Sequence, residues 1–260
     1  MKFEYELIRL ETGALSLAYF QVPWDSEIFA FPVAQIASME VRDTTQAVAD
    51  FSPFTTWLEQ ESIHLASCRL SHDRLKESML LERSGFRFVE MALHPYLADL
   101  QAFPCATQGL RVERAEDADL PTIEAIAAHA FGYERFHNDP RLDRALADYR
   151  YLIWVRNSHD HPTQRLYKIC DGTDLVAFFV TENHPNGLCY WHLTAIAPAF
   201  QGRGYGKRVW REMLYFHQLE GMSQIGTTIA GGNTPVLNLY ASLSFRFQPP
   251  EITLHWLRNA

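Results

Sequence analysis

The chain is short of positive charge. Twenty-three lysines and arginines stand against 31 aspartates and glutamates, a net charge of −8. A nucleic-acid binder normally presents a basic face, so this balance argues against that class. Cysteine is sparse too: Cys68, Cys105, Cys170 and Cys189 are scattered and no two form a CxxC pair. That favours free thiols in a reducing compartment over a disulfide frame or a zinc site. No apolar run is long enough to cross a bilayer, so no membrane partner is expected. The start, Met1 to Leu7, alternates and carries acids, unlike a signal or transit peptide. These absences together predict a soluble, cytoplasmic protein. His159, Asp160 and His161 lack a third ligand at useful spacing, which reads as a polar turn and not a metal site. No metal is expected. A GxxxxGK[ST] nucleotide loop is missing as well.

What is present begins with ordinary globular composition, 47% hydrophobic and 21% charged over 260 residues. That length holds one large domain or two small ones. The chain is organised around Gln201, Gly202, Arg203, Gly204, Tyr205, Gly206 and Lys207. This stretch lies between an apolar run, Trp191–Ile196, and an amphipathic run, Val209–Leu219. Strand, glycine loop and helix together present unpaired backbone N–H groups to an anion at the positive end of the helix dipole. Glycines allow close approach, and Arg203 and Lys207 add charge-assisted contacts. No acidic residue follows at the distance a dinucleotide ribose requires.

The loop matches Q/R-x-x-G-x-G/A and thereby resembles the GNAT superfamily of N-acetyltransferases. Thr194, Ala195 and Ile196, leading to Pro198, resemble the family's preceding strand end. Asn233 to Tyr240, running on to Phe247, resembles its closing segment. The resemblance implies a mixed α/β GNAT fold over residues 109–260, with the order of elements following from about Leu110. It also implies acetyl-CoA as cosubstrate, its pyrophosphate on residues 201–207 and its pantetheine along Thr194, Ala195 and Ile196, where a bulge splays the sheet. Tyr240 is then the general acid that protonates the departing thiolate, and Asn233 a ligand of the cofactor arm. Tyr240 also reads as a buried tyrosine beneath its helix, and Asn233 as a cap of the helix beginning near Pro235.

Residues 1–105 form a separate predicted domain, with the Pro/Gly-punctuated stretch 101–109 as linker. Within them Phe3–Leu10 reads as a strand and Pro23–Phe29 as an aromatic loop. A helix over Arg74–Ser84 follows, capped by Asp73, with Leu75, Met79 and Leu80 on one face. Ser84 to Phe88 echoes Leu243 to Phe247, and Leu93-His94 echoes Leu254-His255. The echo reads as a degenerate GNAT-like copy. Leu81 stands where Tyr240 stands and no glycine loop precedes it, so this half is not expected to perform the chemistry. Further on, Asp117 reads as the cap of a helix over Ala118–Ala130.

The base is less defined. Relatives carry a glutamate where this chain has Thr228, and Glu182 and His192 stand nearby with their facing open. A water relay is the preferred reading. The loop Phe131–Pro140, with Trp24 to Phe29, resembles the dTDP-fucosamine acetyltransferase group. That resemblance implies a primary amine on a nucleotide-linked amino-deoxy sugar as acceptor, with Arg135, His137 and Arg141 as diphosphate ligands. A protein amine, another small amine, or a non-catalytic CoA-binding module are the alternatives. Oligomeric state is left open, a homodimer included.

Overall fold

A computed structural model describes residues 6–258. The chain forms two compact units. The first takes the described part of Met1–Ala92 with Asn138–Leu146 and the described part of Pro249–Ala260; the second takes Leu93–His137 and Ala147–Gln248. In chain order the elements of the first half are β1 (Ile8–Glu11), β2 (Leu15–Gln21), α1 (Pro23–Phe29), β3 (Val33–Val41), α2 (Ala47–Asp50), α3 (Ser52–Gln60), β4 (Leu65–Ser71), α4 (Leu75–Arg83) and β5 (Arg87–Leu97). Then come β6 (Arg111–Arg114), α5 (Leu120–Ala130), α6 (Arg135–Asn138), α7 (Arg144–His159), β7 (Gln164–Asp171), β8 (Asp174–Asn183) and β9 (Leu188–Ile196). The chain closes with α8 (Tyr205–Leu219), β10 (Gln224–Thr227), β11 (Ile229–Ala230), α9 (Thr234–Ser242) and β12 (Arg246–Leu257).

The division differs from the expected boundary at 105–109. The 101–109 stretch is no free tether. Gln218 of α8 donates to the carbonyls of Leu100, Gln101 and Phe103. The buried Glu212 carboxylate accepts from Thr107, Gln108 and Leu110. These bonds bind the stretch into the second unit.

In the first unit β1, β2 and β3 are antiparallel neighbours, β3 runs parallel to β4, and Glu251–Leu257 of β12 pairs antiparallel with β4. Phe51 between α2 and α3, Phe54 and Leu58 from α3, and Leu80 and Leu81 from α4 close its core over Leu15, Leu17, Ile36 and Leu254. The expected strand Phe3–Leu10 lies partly outside the described residues; Ile8–Glu11 is its described end. The expected aromatic loop at Pro23–Phe29 is helix α1, with Pro23 at the first helical position, where its missing N–H costs nothing. Helix α4 also departs from expectation. Arg74 is its N-cap without a side-chain bond, and Leu75 and Met79 are exposed. Buried Glu77 sets the rotation, because its carboxylate accepts from Val41 N–H at 2.8 Å and so turns Leu80 and Leu81 inward.

The second unit is a sheet in the order β10-β9-β8-β7-β6, parallel between β10 and β9 and antiparallel elsewhere. The end of β5 joins β10 through Leu97 and Tyr96. Two separate cores cover it. Val209, Trp210, Met213 and Leu214 of α8 pack with Phe179, Trp191 and Tyr240. Ile123, Ile126 and Ala127 of α5 and Tyr151 and Val155 of α7 pack with Phe178, Val180 and Leu193. Alternation along β8 sends neighbouring phenylalanines into different cores, as a strand covered on both faces requires. A capping box of Glu116 and Asp119, and not Asp117, opens the turn before α5.

Candidate active site

The glycine loop is where the sequence places it, between β9 and α8. Gly204, at φ 80° and ψ 1°, is the N-cap of α8 and supplies no side-chain acceptor for the first N–H groups. Those donors are therefore left to an incoming group. Gly202, at φ 72°, shares the left-handed conformation that side chains resist. Gly206 does not; a Cβ there would meet Leu239 and Ile196 at 3.7 and 3.8 Å, ordinary contact distances. Arg203 and Lys207 are exposed beside these N–H groups. Tyr205 has another task. Its hydroxyl donates to Asp171 at 2.7 Å, and Arg208 reaches the same carboxylate at 2.6 Å, fastening the start of α8 to the β7–β8 turn. These bonds, Tyr205's first, hold the Asp171 carboxyl below its usual range.

Strand β9 forks from β10. Their parallel pairing runs from Gln224 opposite Leu188 to Thr227 opposite Trp191, and β11 pairs with β5 instead. At the fork Thr227 Oγ1 donates to Trp191 O at 2.7 Å, taking the place of the lost ladder bond. Beyond it Thr194, Ala195 and Ile196 pair with β8 alone. Ala197 N–H donates to Val176 O, so by alternation Ala195 turns its amide to β8, while Thr194 and Ile196 turn theirs to the open side. Gln201 Nε2 donates to Ile196 O at 3.0 Å and ties the loop to this strand end. The bulge expected at 194–196 sits earlier. The β8 register passes from Val180–Leu193 to Thr181–Trp191, leaving His192 as the extra residue.

Tyr240, on α9, is fully buried at this fork. Its hydroxyl lies among Trp210, Thr227 and Thr194, yet no pair there meets hydrogen-bond geometry. Burial, the largest influence, pushes the phenol up to about 12. A buried hydroxyl without a partner is costly in isolation, and a polar atom arriving at the fork would relieve it. Asn233 Oδ1 accepts from Val236 N at 3.3 Å and so caps α9.

Just beyond β10, Thr228 Oγ1 lies within hydrogen-bond distance of two partners, Tyr190 Oη at 2.6 Å and His94 Nδ1 at 3.0 Å. His192 Nε2 stands 2.8 Å from Glu182 Oε2. Burial pushes the His192 imidazole down, and Glu182 opposes that shift. The ring sits 4.9 Å from Tyr190 and 6.1 Å from Trp154 of α7. Sequence reading left the facing of Glu182 and His192 open because a bulge inverts side-chain parity. His94 was visible only as part of the echo with His255.

Residues 123–245 match the model of the acetyltransferase (GNAT) family. That stretch, a little under half of the chain, is similar to a GNAT acetyltransferase domain. No curated protein matches in sequence. Among solved structures the chain resembles a GCN5-related N-acetyltransferase from Sphaerobacter thermophilus, with 11% identity, TM-score 0.64, and 94% of this chain and 80% of the other covered. It resembles one from Kribbella flavida at 13% identity and TM-score 0.62, covering 96% and 89%. It also resembles a tandem GNAT protein from the clavulanic acid biosynthesis pathway, at 13% and 0.59, covering 95% and 81%. At such identities the likeness is one of fold.

The features around the GNAT loop fit the acetyl-CoA that the family uses: two left-handed glycines, two backbone units turned outward at the fork, and a partnerless buried hydroxyl. The three residues expected to hold an acceptor diphosphate each have a partner within the chain. Arg135 stacks its guanidinium 4.6 Å over Phe136. His137 lies against Asp148 at 2.9 Å, its side chain buried. Arg141 belongs to the first unit and grips Asp139 through Nε and Nη2, at 2.8 and 2.9 Å. No thiol is poised as a nucleophile: burial pushes Cys68 and Cys189 up to about 12 and Cys105 up to about 11. His159 bonds Asp117, and among the described residues no group of three or more His, Cys, Asp or Glu could hold a metal ion. No helix there is long and apolar enough to cross a membrane.

Proposed function

We propose that this protein transfers acetyl from acetyl-CoA to the primary amine of a nucleotide-linked amino-deoxy sugar, with Tyr240 as general acid. Acetyl-CoA supplies an activated acyl group as a thioester. Gly202 to Lys207 bind its diphosphate through the first N–H groups of α8, aided by Arg203 and Lys207. Gln201 and Tyr205 hold the loop in shape, and Thr194 and Ile196 offer backbone groups along the open strand edge as an added strand would use them. Asn233 fixes the start of α9 and hence the place of Tyr240. The single observation carrying the reading is the partnerless Tyr240 hydroxyl at the fork of β9 and β10.

A phenol near 12 is a weak donor to a thiolate of ordinary basicity, near ~8.5 by analogy with cysteine. The same dry surroundings raise thiols, however, as Cys189 shows by rising to about 12. Donor and acceptor move together, and the proton transfer stays near balance. A decayed GNAT copy in the first unit agrees with the tandem GNAT relative and with matched helix ends. Gly85 and Ser244 both have positive φ, at 93° and 62°. Phe86 N–H donates to Leu81 O as Phe245 N–H donates to Tyr240 O.

Engagement of His137 by Asp148 and of Arg141 by Asp139 favours a second reading, in which the acceptor is a small amine without a diphosphate. Thiol release from acetyl-CoA distinguishes the two. Turnover with dTDP-4-amino-4,6-dideoxygalactose and not with simple amines supports the nucleotide sugar; the reverse removes it.

A further inference from the structure

Resting on the acetyl-transfer reading above, we propose that Glu182 and His192 form a dyad in which His192 is the general base for the acceptor amine. The bulge makes His192 the extra residue of β9, at the point where that strand leaves β10. Tyr240 packs with α8 and the Trp191 face of the sheet, whereas His192 lies near Trp154 of α7, which borders the other core. An acid and a base on different faces of one fork suit a reaction whose thiolate leaves on one side and whose amine arrives on the other.

The pairing decides which ring nitrogen acts. Glu182 accepts from Nε2 at 2.8 Å, so the neutral ring carries its lone pair on Nδ1. Thr163, then His192, hold the Glu182 carboxyl below its usual range, which keeps it an acceptor. Both side chains of the dyad are about one-fifth exposed, at 20% and 22%, open enough for exchange with solvent. The groups facing the ring are Glu182 at the end of β8, His184 just beyond it, His161 before β7, Tyr190 on β9 and Trp154 on α7. Burial and the two histidines lower its pKa and Glu182 raises it. The imidazole is therefore neutral at pH 7, as a base must be.

The step balances without another reactant. The amine lone pair forms the bond to the acetyl carbon, and the C–S pair leaves with sulfur, which takes the Tyr240 proton. The surplus amine proton passes to His192 Nδ1, with Glu182 stabilising the imidazolium. Solvent then returns a proton from His192 to Tyr240, and amide and CoA thiol are released. Glu182 acts through the ring and is a positioning residue.

Two measurements test the dyad. Imidazole ¹⁵N NMR of the labelled full chain should show neutral His192 protonated on Nε2, titrating below the ordinary value near ~6.5. An Nδ1–H ring overturns the proposal with no acceptor needed. With dTDP-4-amino-4,6-dideoxygalactose, His192→Gln should lower kcat about 10²-fold, leave KM for acetyl-CoA unchanged, and remove the acid limb of the pH profile. Glu182→Gln should keep that limb but move it to lower pH, a response that loss of packing would not produce. Unchanged turnover and pH profile in His192→Gln overturn the proposal. If the wild type binds acetyl-CoA but does not turn over the amino-sugar nucleotide, the acceptor reading fails, and the tautomer decides the dyad alone.

Discussion

Replacing Gly204 by alanine isolates the backbone requirement of the glycine loop. Gly204 holds φ at 80° and a Cβ there would meet nothing within 4 Å, so the substitution adds conformational strain and no clash. A left-handed residue with a side chain costs about 1–2 kcal/mol. If the free loop relaxes to escape the strain and binding forces it back, the dissociation constant for CoA should rise about 5- to 30-fold. Gly206→Ala is the internal control. Position 206 lies in the first turn of α8 without positive φ, and its new methyl would touch Leu239 and Ile196 at ordinary distance. Alanine is the better helix former by about 0.8–1 kcal/mol, which corresponds to roughly 2–4 °C in Tm for a protein of this size. Calorimetric titration with CoA and thermal melts of both variants provide the comparison. If Gly206→Ala loses as much affinity as Gly204→Ala, or if neither changes, left-handed geometry is not what the loop contributes.

Tyr240→Phe should reduce kcat about 10²-fold while Tm holds or rises, since the lost hydroxyl has no hydrogen-bond partner; stopped-flow thiol release and a melt check both. Asp139→Asn should destabilise the protein by about 3 kcal/mol, read by urea denaturation, because His255 and Arg141 are left facing a neutral amide in a buried setting. His255 and Arg141 hold the Asp139 carboxyl well below its usual range against the larger opposing effect of burial. A depressed carboxyl contributes stability above the unfolded value near ~3.9 and loses it as pH falls toward the folded value, so acid denaturation should begin at higher pH in the variant. Arg203→Ala with Lys207→Ala should weaken CoA binding and flatten its salt dependence in the same calorimetric assay, leaving Tm in place because both side chains are exposed.

The glycine loop, the Asn233–Tyr240 segment and the strand end were legible because each depends on residues whose chemistry has few substitutes. Gly202 and Gly204 announce positive φ, and Tyr240 announces a phenol. What escaped was set by contacts that residue type and periodicity do not specify. Leu75 and Met79 look like a core stripe, but Glu77 answering Val41 turns them outward. His137 and Arg141 look like free cations, yet Asp148 and Asp139 engage them. The faces of Glu182 and His192 depend on a one-residue bulge that no hydrophobic pattern reveals.

The closing strand bears on how the protein can be dissected. Glu251–Leu257 completes the ladder beside β4, and Arg258 donates to the carbonyls of Ile63 and Leu58. A fragment cut after residue 105 would present Leu65–Ser71 bare, an apolar edge inviting self-association. Dividing this molecule therefore calls for circular permutation, or for a synthetic peptide spanning the missing ribbon to be added back in trans.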